Sequence, residues 1–210
     1  LLIFAAGIPK VLPDVSPRKV VRFGFMSLFA GLVLLVGLLE VGSGPEIITW
    51  PLLLAGAGLG AMASQLGSVT VSAVPDEKSG EVGGLQNTVT NLGASVGTAV
   101  AGAVLISALT TSFFTGIESN PAVPADVAAE AQVRLDAGVP FVSDADLEEA
   151  LTERGADPAT ISAVADDNAA ARLDGLRSAL VVLALVALLA LFFTRGLPDR
   201  PATADPPSAV

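Results

Sequence analysis

GAGLGAMASQLGSVTVSAVPDEKSGEVGGLQNTVTNLGASVGTAVAG, residues 56–102, joins two glycine-rich apolar runs through one short charged turn. The pattern reads as a helical hairpin inside a membrane. Helices meeting in lipid gain no hydrophobic driving force, so they associate through small residues that let backbones approach and through polar side chains that bond across. Small residues recur at four-residue spacing at Gly56 and Gly60, and again at Gly93, Gly97 and Ala101. These glycines are the helix-packing positions the sequence offers.

Composition supports the same class. The 210 residues are 52% hydrophobic, with a mean hydropathy of +0.69, far above a typical soluble domain. Cysteine and histidine are both absent, which removes disulfides, thiolate chemistry and imidazole sites. With no metal-ligand cluster and no nucleophile and base paired in an apolar run, an enzyme is not expected, nor are a metal, a cofactor or a nucleic-acid partner. The net charge of −10 is local: 13 of the 21 acidic residues lie between Glu118 and Asp174. The opening residues, Leu1 to Ile8, read as the end of a preceding span, so the chain is expected to be the C-terminal part of something larger.

A spanning helix needs about 20 predominantly apolar residues. Four segments qualify, at about 23–41, 47–74, 82–114 and 176–194, separated by turns at 9–22 and 75–81 and by a long segment at 115–175. Positions 82–117 hold no charge, which is more than a bilayer core requires, so this helix should tilt or project. Lys10, Arg18, Lys19 and Arg22 crowd the first turn, whereas residues 42–46 have no basic residue. The positive-inside bias therefore puts turns 9–22 and 75–81 and the tail from 195 in the cytosol, with 115–175 outside a plasma membrane. Trp50 then falls at the outer interface, and Arg177 and Arg195 bracket the last span.

The outer segment carries helix punctuation of its own. Pro124 suits a first turn before VAAEAQVRL, Ser143 with Asp146 forms a capping box ahead of DLEEALTER, and Gly155 closes that helix. Asp157 and Pro158 start a third helix that runs toward the last span. Leu147 shares a face with Leu151, as Ile161 does with Val164. A small helical cap is expected, either a vestibule or partner-binding element or a solubilising insertion. Residues 195–210, rich in proline, read as a disordered tail.

Polar residues in the two inner spans lie on stripes. Asn87, Asn91, Ser95 and Thr98 share one helical face, Gln86, Thr90, Gly93, Gly97 and Ala101 the one beside it, and Gln65 and Ser68 lie on a similar stripe of the second span. Polar side chains inside a membrane either bond across a helix interface or line a water-accessible cavity. Gln65, Ser68, Asn87, Asn91, Ser95 and Thr98 are thus the substrate-cavity candidates. The first and last spans are almost wholly Leu, Val, Ala, Phe and Gly, and can face lipid. No titratable residue lies deep in any span, since Glu40 sits at the outer end of one and Glu81 at the cytosolic start of another; a coupling proton would be carried elsewhere.

The order of a glycine-rich span, the turn V-P-D-E-K-S-G at 74–80, and then G-G-L-Q-N-T-x-x-N-L-G-A-S-V-G-T-A-V resembles the C-terminal half of the fourteen-span drug/proton antiporters of the major facilitator superfamily. The resemblance covers nearly the whole chain and makes these spans eleven to fourteen. Leu12, Asp14, Arg18 and Lys19 also match the superfamily's cytosolic loop signature, with Lys10 and Pro17 where that signature has glycines. It implies an all-α polytopic bundle, proton-coupled efflux of small amphipathic molecules, gating-loop roles for Asp14 and Arg18, and the missing N-terminal half as partner besides substrate and the lipid bilayer. The alternative from another class is a structural or sensory membrane protein whose outer acidic cap binds a partner.

Overall fold

The computed structural model describes residues 2, 3, 5, 7, 15–41, 44–71, 74–129 and 143–199, except the side chains of 66–68, 70, 71 and 76. Every regular element in them is helical, with no strand among the described residues. Helix α1 spans Pro17–Leu38, α2 Glu46–Val71, α3 Ser79–Ser119, α4 Asp144–Glu153 and α5 Pro158–Phe193. Short 3-10 turns at Asp76–Lys78 and Thr194–Gly196 precede α3 and follow α5. Four of the helices, α1, α2, α3 and α5, are long and apolar enough to cross a membrane. The chain is thus a helical protein of membrane-spanning character. A cap helix over 124–138 falls partly outside the described residues, which show helix at 125–129 only.

The helices begin where local chemistry starts them. Pro17 occupies the first position of α1, where a missing N–H costs nothing, and Ser16 Oγ accepts from the Lys19 nitrogen at 3.4 Å. The first span therefore starts earlier than its apolar run at 23, and carries Arg18, Lys19 and Arg22 on its first two turns. Likewise α3 reaches Ser119, and α5 begins at Pro158 and continues without a break into the apolar run. At 1.5 Å per residue α3 is about 60 Å long, about twice the hydrocarbon core of a bilayer.

The chain forms two compact units, the first comprising Leu1–Leu38, Gly44–Thr98 and Val181–Val210, the second Leu39–Ser43 and Ala99–Leu180. In the first, α1 packs on α2 through a seam of small residues. Pro17, Val20, Gly24, Ser27 and Gly31, spaced three, four, three and four apart, are the buried positions of α1. Across from them a Cβ on Gly24 would lie 2.9 Å from the Gly58 carbonyl, and one on Gly31 2.7 Å from both the Pro51 carbonyl and the Ala55 nitrogen. Pro51 is fully buried, and Ser27 Oγ donates to the Leu54 carbonyl at 2.7 Å. So α1 is not a purely lipid-facing span: one face is a helix interface and only the other, with Phe23, Met26, Val33 and Leu34 exposed, is free for lipid.

The second unit has its core at Phe113, Ile117, Val123, Leu151, Val164 and Ala171, with Leu147 and Ile161 packed against it. The faces read from sequence in α4 and α5 therefore point inward. Ser143 caps α4 as its sequence predicts: its Oγ accepts from the Asp146 nitrogen at 3.1 Å and donates to the Asp146 carboxylate at 2.7 Å, a side-chain bond in place of the reciprocal backbone bond of a full capping box. Gly155, at φ +73°, closes α4 as a Schellman motif, with the Ala156 nitrogen donating to the Leu151 carbonyl and Gly155 to Thr152. Gly175 lets α5 meet α3, since a Cβ there would lie 2.8 Å from the Leu105 carbonyl. Farther along the same contact, Ser112 Oγ donates to Asp174 at 2.8 Å and Asn120 Nδ2 to Asp167 at 2.9 Å. The C-terminal part of α3 thus faces carboxylates, which are costly in hydrocarbon.

Candidate functional site

Of the substrate-cavity candidates, Asn87, Asn91, Ser95 and Thr98 lie together on α3, within the first unit, and all four are exposed. At 100° per residue this part of α3 has three faces about 120° apart. Leu85, Val89, Leu92 and Val96 form one, Gln86, Thr90, Gly93 and Gly97 the second, and Asn87, Asn91, Ser95 and Thr98 the third. The apolar face is 54–64% exposed, so it is uncovered in the chain itself.

The hydroxyls on this helix are already occupied. Thr88, Thr90, Ser95 and Thr98 donate to the carbonyls of Gly84, Gln86, Asn91 and Ala94, each four residues back, at 2.8–3.0 Å. A helix that satisfies its hydroxyls internally can cross lipid at small polar cost. The carboxamides differ. Asn91 Nδ2 donates to Asn87 Oδ1 at a long 3.4 Å, leaving the second Asn91 N–H, its carbonyl and the Asn87 amide group with capacity for a further partner. Asn87 and Asn91 thus form the polar centre of the stripe, with Ser95 and Thr98 as its lightly polar continuation.

Gln65 is half-buried on α2, where its Nε2 donates to Ser64 Oγ at 3.2 Å while Ser64 Oγ donates to the Ala61 carbonyl at 2.7 Å. The Ser68 side chain and Asp14 lie outside the described residues. Arg18 turns toward the end of α5: its Nε donates to the Leu197 carbonyl at 2.8 Å, and its Nη1 pairs with Asp199 at 2.8 Å. Arg22 Nε donates to Thr194 Oγ1 at 3.2 Å beside it.

Among the packing glycines, Gly60 is buried and Gly56 half-buried, whereas a Cβ on Gly93 or Gly97 would meet nothing within 4 Å. Gly24, Gly31 and Gly58, and Gly175 in the second unit, are closely met by the backbone of another helix. Their signal in α1, small residues on a three-and-four repeat, was present in the sequence. It was masked by the low polarity of the span.

An open groove of about 440 Å³ in the second unit is walled by Val41, Leu105, Ala169, Leu173 and Leu176 and edged by Asp144 and Arg172. Asp144 accepts from Asn168 Nδ2 at 2.7 Å and from Arg172 Nη1 at 2.9 Å, fixing α4 to α5. Asp157 accepts from the Thr160 hydroxyl at 2.6 Å and from the amide nitrogens of Ala159 and Thr160. The Thr160 hydroxyl, and then its amide, hold the Asp157 carboxyl below the usual aspartate range. No group of three or more metal-ligating side chains occurs among the described residues. No known protein family, curated protein or solved structure matches the chain.

Proposed function

We propose that this chain is the C-terminal part of a secondary active membrane transporter of the major facilitator type, in which α3 lines a solute path. The three-faced α3 carries the reading. A helix serving only as an anchor has no use for an Asn-Asn pair opposite a Leu/Val stripe, while a cavity-lining helix needs one face for lipid, one for close packing and one for solute. The turn and hairpin motif at 74–100 agrees with the fourteen-span drug/proton antiporters, and proton-coupled efflux of small amphipathic molecules is the activity that resemblance suggests. Alternating access would rock this part against an N-terminal half around a midplane site. The apolar runs hold no carboxylate, so the coupling proton belongs to that half.

The test uses the full-length transporter. Cysteine at Asn87 or Asn91 should react with a small hydrophilic thiol reagent and be protected by transported solute. Unreactive cysteines in every state would return the stripe to packing. A second reading, a membrane protein whose outer cap binds a partner, draws on the ordered α4–α5 cap. Deleting 120–157 separates the two, because a transporter keeps solute flux without the cap and a cap receptor loses its partner.

A further inference from the structure

At one end of the first unit, two apolar runs stop at the same level, and the cations gathered there have few counter-charges. Arg22 is the last charged residue of α1 before an uncharged run to Leu39, and Arg195 follows the uncharged run 178–194 of α5. The Arg22–Thr194 hydrogen bond puts both boundaries side by side. Arg18, Lys19, Arg22 and Arg195 therefore share one rim, and Asp199, paired with Arg18, is the one carboxylate bonded to any of them among the described residues. Lys19 and Arg22 are exposed, and the Arg195 guanidinium sits 4.7 Å from the centre of the Phe192 ring.

Immediately below these cations the surface turns apolar. Phe23 and Met26 on α1, and Phe192 and Phe193 on α5, are each more than half exposed, and the two phenylalanine rings of α5 meet edge to face. Cations one turn above exposed apolar side chains have the vertical order of a phospholipid, with phosphate above and acyl chain below. Arg177, which precedes the same uncharged run of α5, is engaged by Asp174 and the Leu39 carbonyl.

We propose that this rim binds an anionic phospholipid of the adjacent leaflet, with Lys19, Arg22 and Arg195 receiving the headgroup phosphate and Phe23, Met26, Phe192 and Phe193 contacting its chains. A basic residue at an anionic membrane surface strengthens association about fivefold. Arg18 is the positioning residue, since its bonds to Leu197 and Asp199 hold the end of α5 against α1.

The experiment reconstitutes the whole chain in phosphatidylcholine vesicles containing a trace of spin-labelled phosphatidylglycerol or spin-labelled phosphatidylcholine and reads the immobilised fraction of each. The expected result is a preference of at least fivefold for phosphatidylglycerol that weakens with salt and falls to near one in Lys19→Gln/Arg195→Gln, a pair of exposed positions without side-chain hydrogen bonds. Equal immobilisation of the two lipids by the unaltered chain overturns the proposal without recourse to any variant. So does an undiminished preference in the double variant with its helical circular dichroism intact, or displacement of the labelled lipid by millimolar inorganic phosphate, which would mark a free-phosphate site. None of these outcomes depends on transport.

Discussion

Gly58 approaches Gly24 across the α1–α2 contact so closely that a Cβ on Gly58 would overlap the Gly24 carbonyl and lie 2.7 Å from the Leu28 nitrogen. Backbone, not a movable side chain, occupies that space. The helices can relieve the overlap only by separating, which also pulls Ser27 from the Leu54 carbonyl.

Gly58→Ala should therefore destabilise the chain by about 1–3 kcal/mol, the usual cost of overpacking a tight contact. Gly93→Ala should instead stabilise the chain by up to about 1 kcal/mol, because its Cβ enters open space and alanine is the better helix former. Chemical denaturation in micelles, followed by circular dichroism, measures both. Equal losses would contradict the assignment of the α1–α2 seam.

Ser27→Ala removes a buried hydroxyl that donates at 2.7 Å to the Leu54 carbonyl. Interhelical hydrogen bonds in membrane proteins are worth about 0.6 kcal/mol on average and at most about 1.7. The loss in Ser27→Ala should fall in that range, and Ser27→Gly should lose about 0.5–1 kcal/mol more, since glycine lacks the hydroxyl and also weakens a helix interior. Micellar unfolding of the two variants tests this.

Gly155→Ala forces a Cβ into the left-handed region at φ +73° and should cost about 1–2 kcal/mol of cap stability. Gly155→Asn should recover part of it, because Asn tolerates this region better. Amide exchange at Ala156, whose N–H donates to the Leu151 carbonyl and closes the motif, should accelerate first in the alanine variant.

Asp157 starts α5 by accepting from Thr160 and Ala159, and those bonds lower its pKa. Because the folded value lies below the unfolded one, this contribution is fully present above about pH 4 and disappears as pH falls through the folded value. Protection of the Ala159 and Thr160 amides, taken relative to their intrinsic exchange rates, should fall on acidification in the native chain. In Asp157→Asn that protection should be lower at neutral pH and should not change as acid is added in that window.

The four apolar helices were legible because length and hydropathy alone decide whether a helix can live in a bilayer. The start at Pro158 was legible too, but that of the first span was not, since Pro17 begins α1 inside charged sequence that a search for apolar runs passes over. The cap at Ser143 and the glycine stop at Gly155 were readable from local chemistry. The pairing of acidic residues with α3 was not, because Ser112 and Asp174, like Asn120 and Asp167, are far apart in sequence and meet only where α5 approaches α3 at Gly175.

The sequence by itself determined the helical class, the polar stripe of Asn87, Asn91, Ser95 and Thr98, and the want of any carboxylate within the apolar runs. Each depends on composition and on the 3.6-residue period, which need no partner. Only the tertiary structure decided that Gly24, Gly31 and Gly58 meet backbone across the α1–α2 seam, and that Arg18 reaches Asp199 at the far end of the chain. Small residues permit close approach wherever they occur. Which of them uses that permission depends on the helix that arrives.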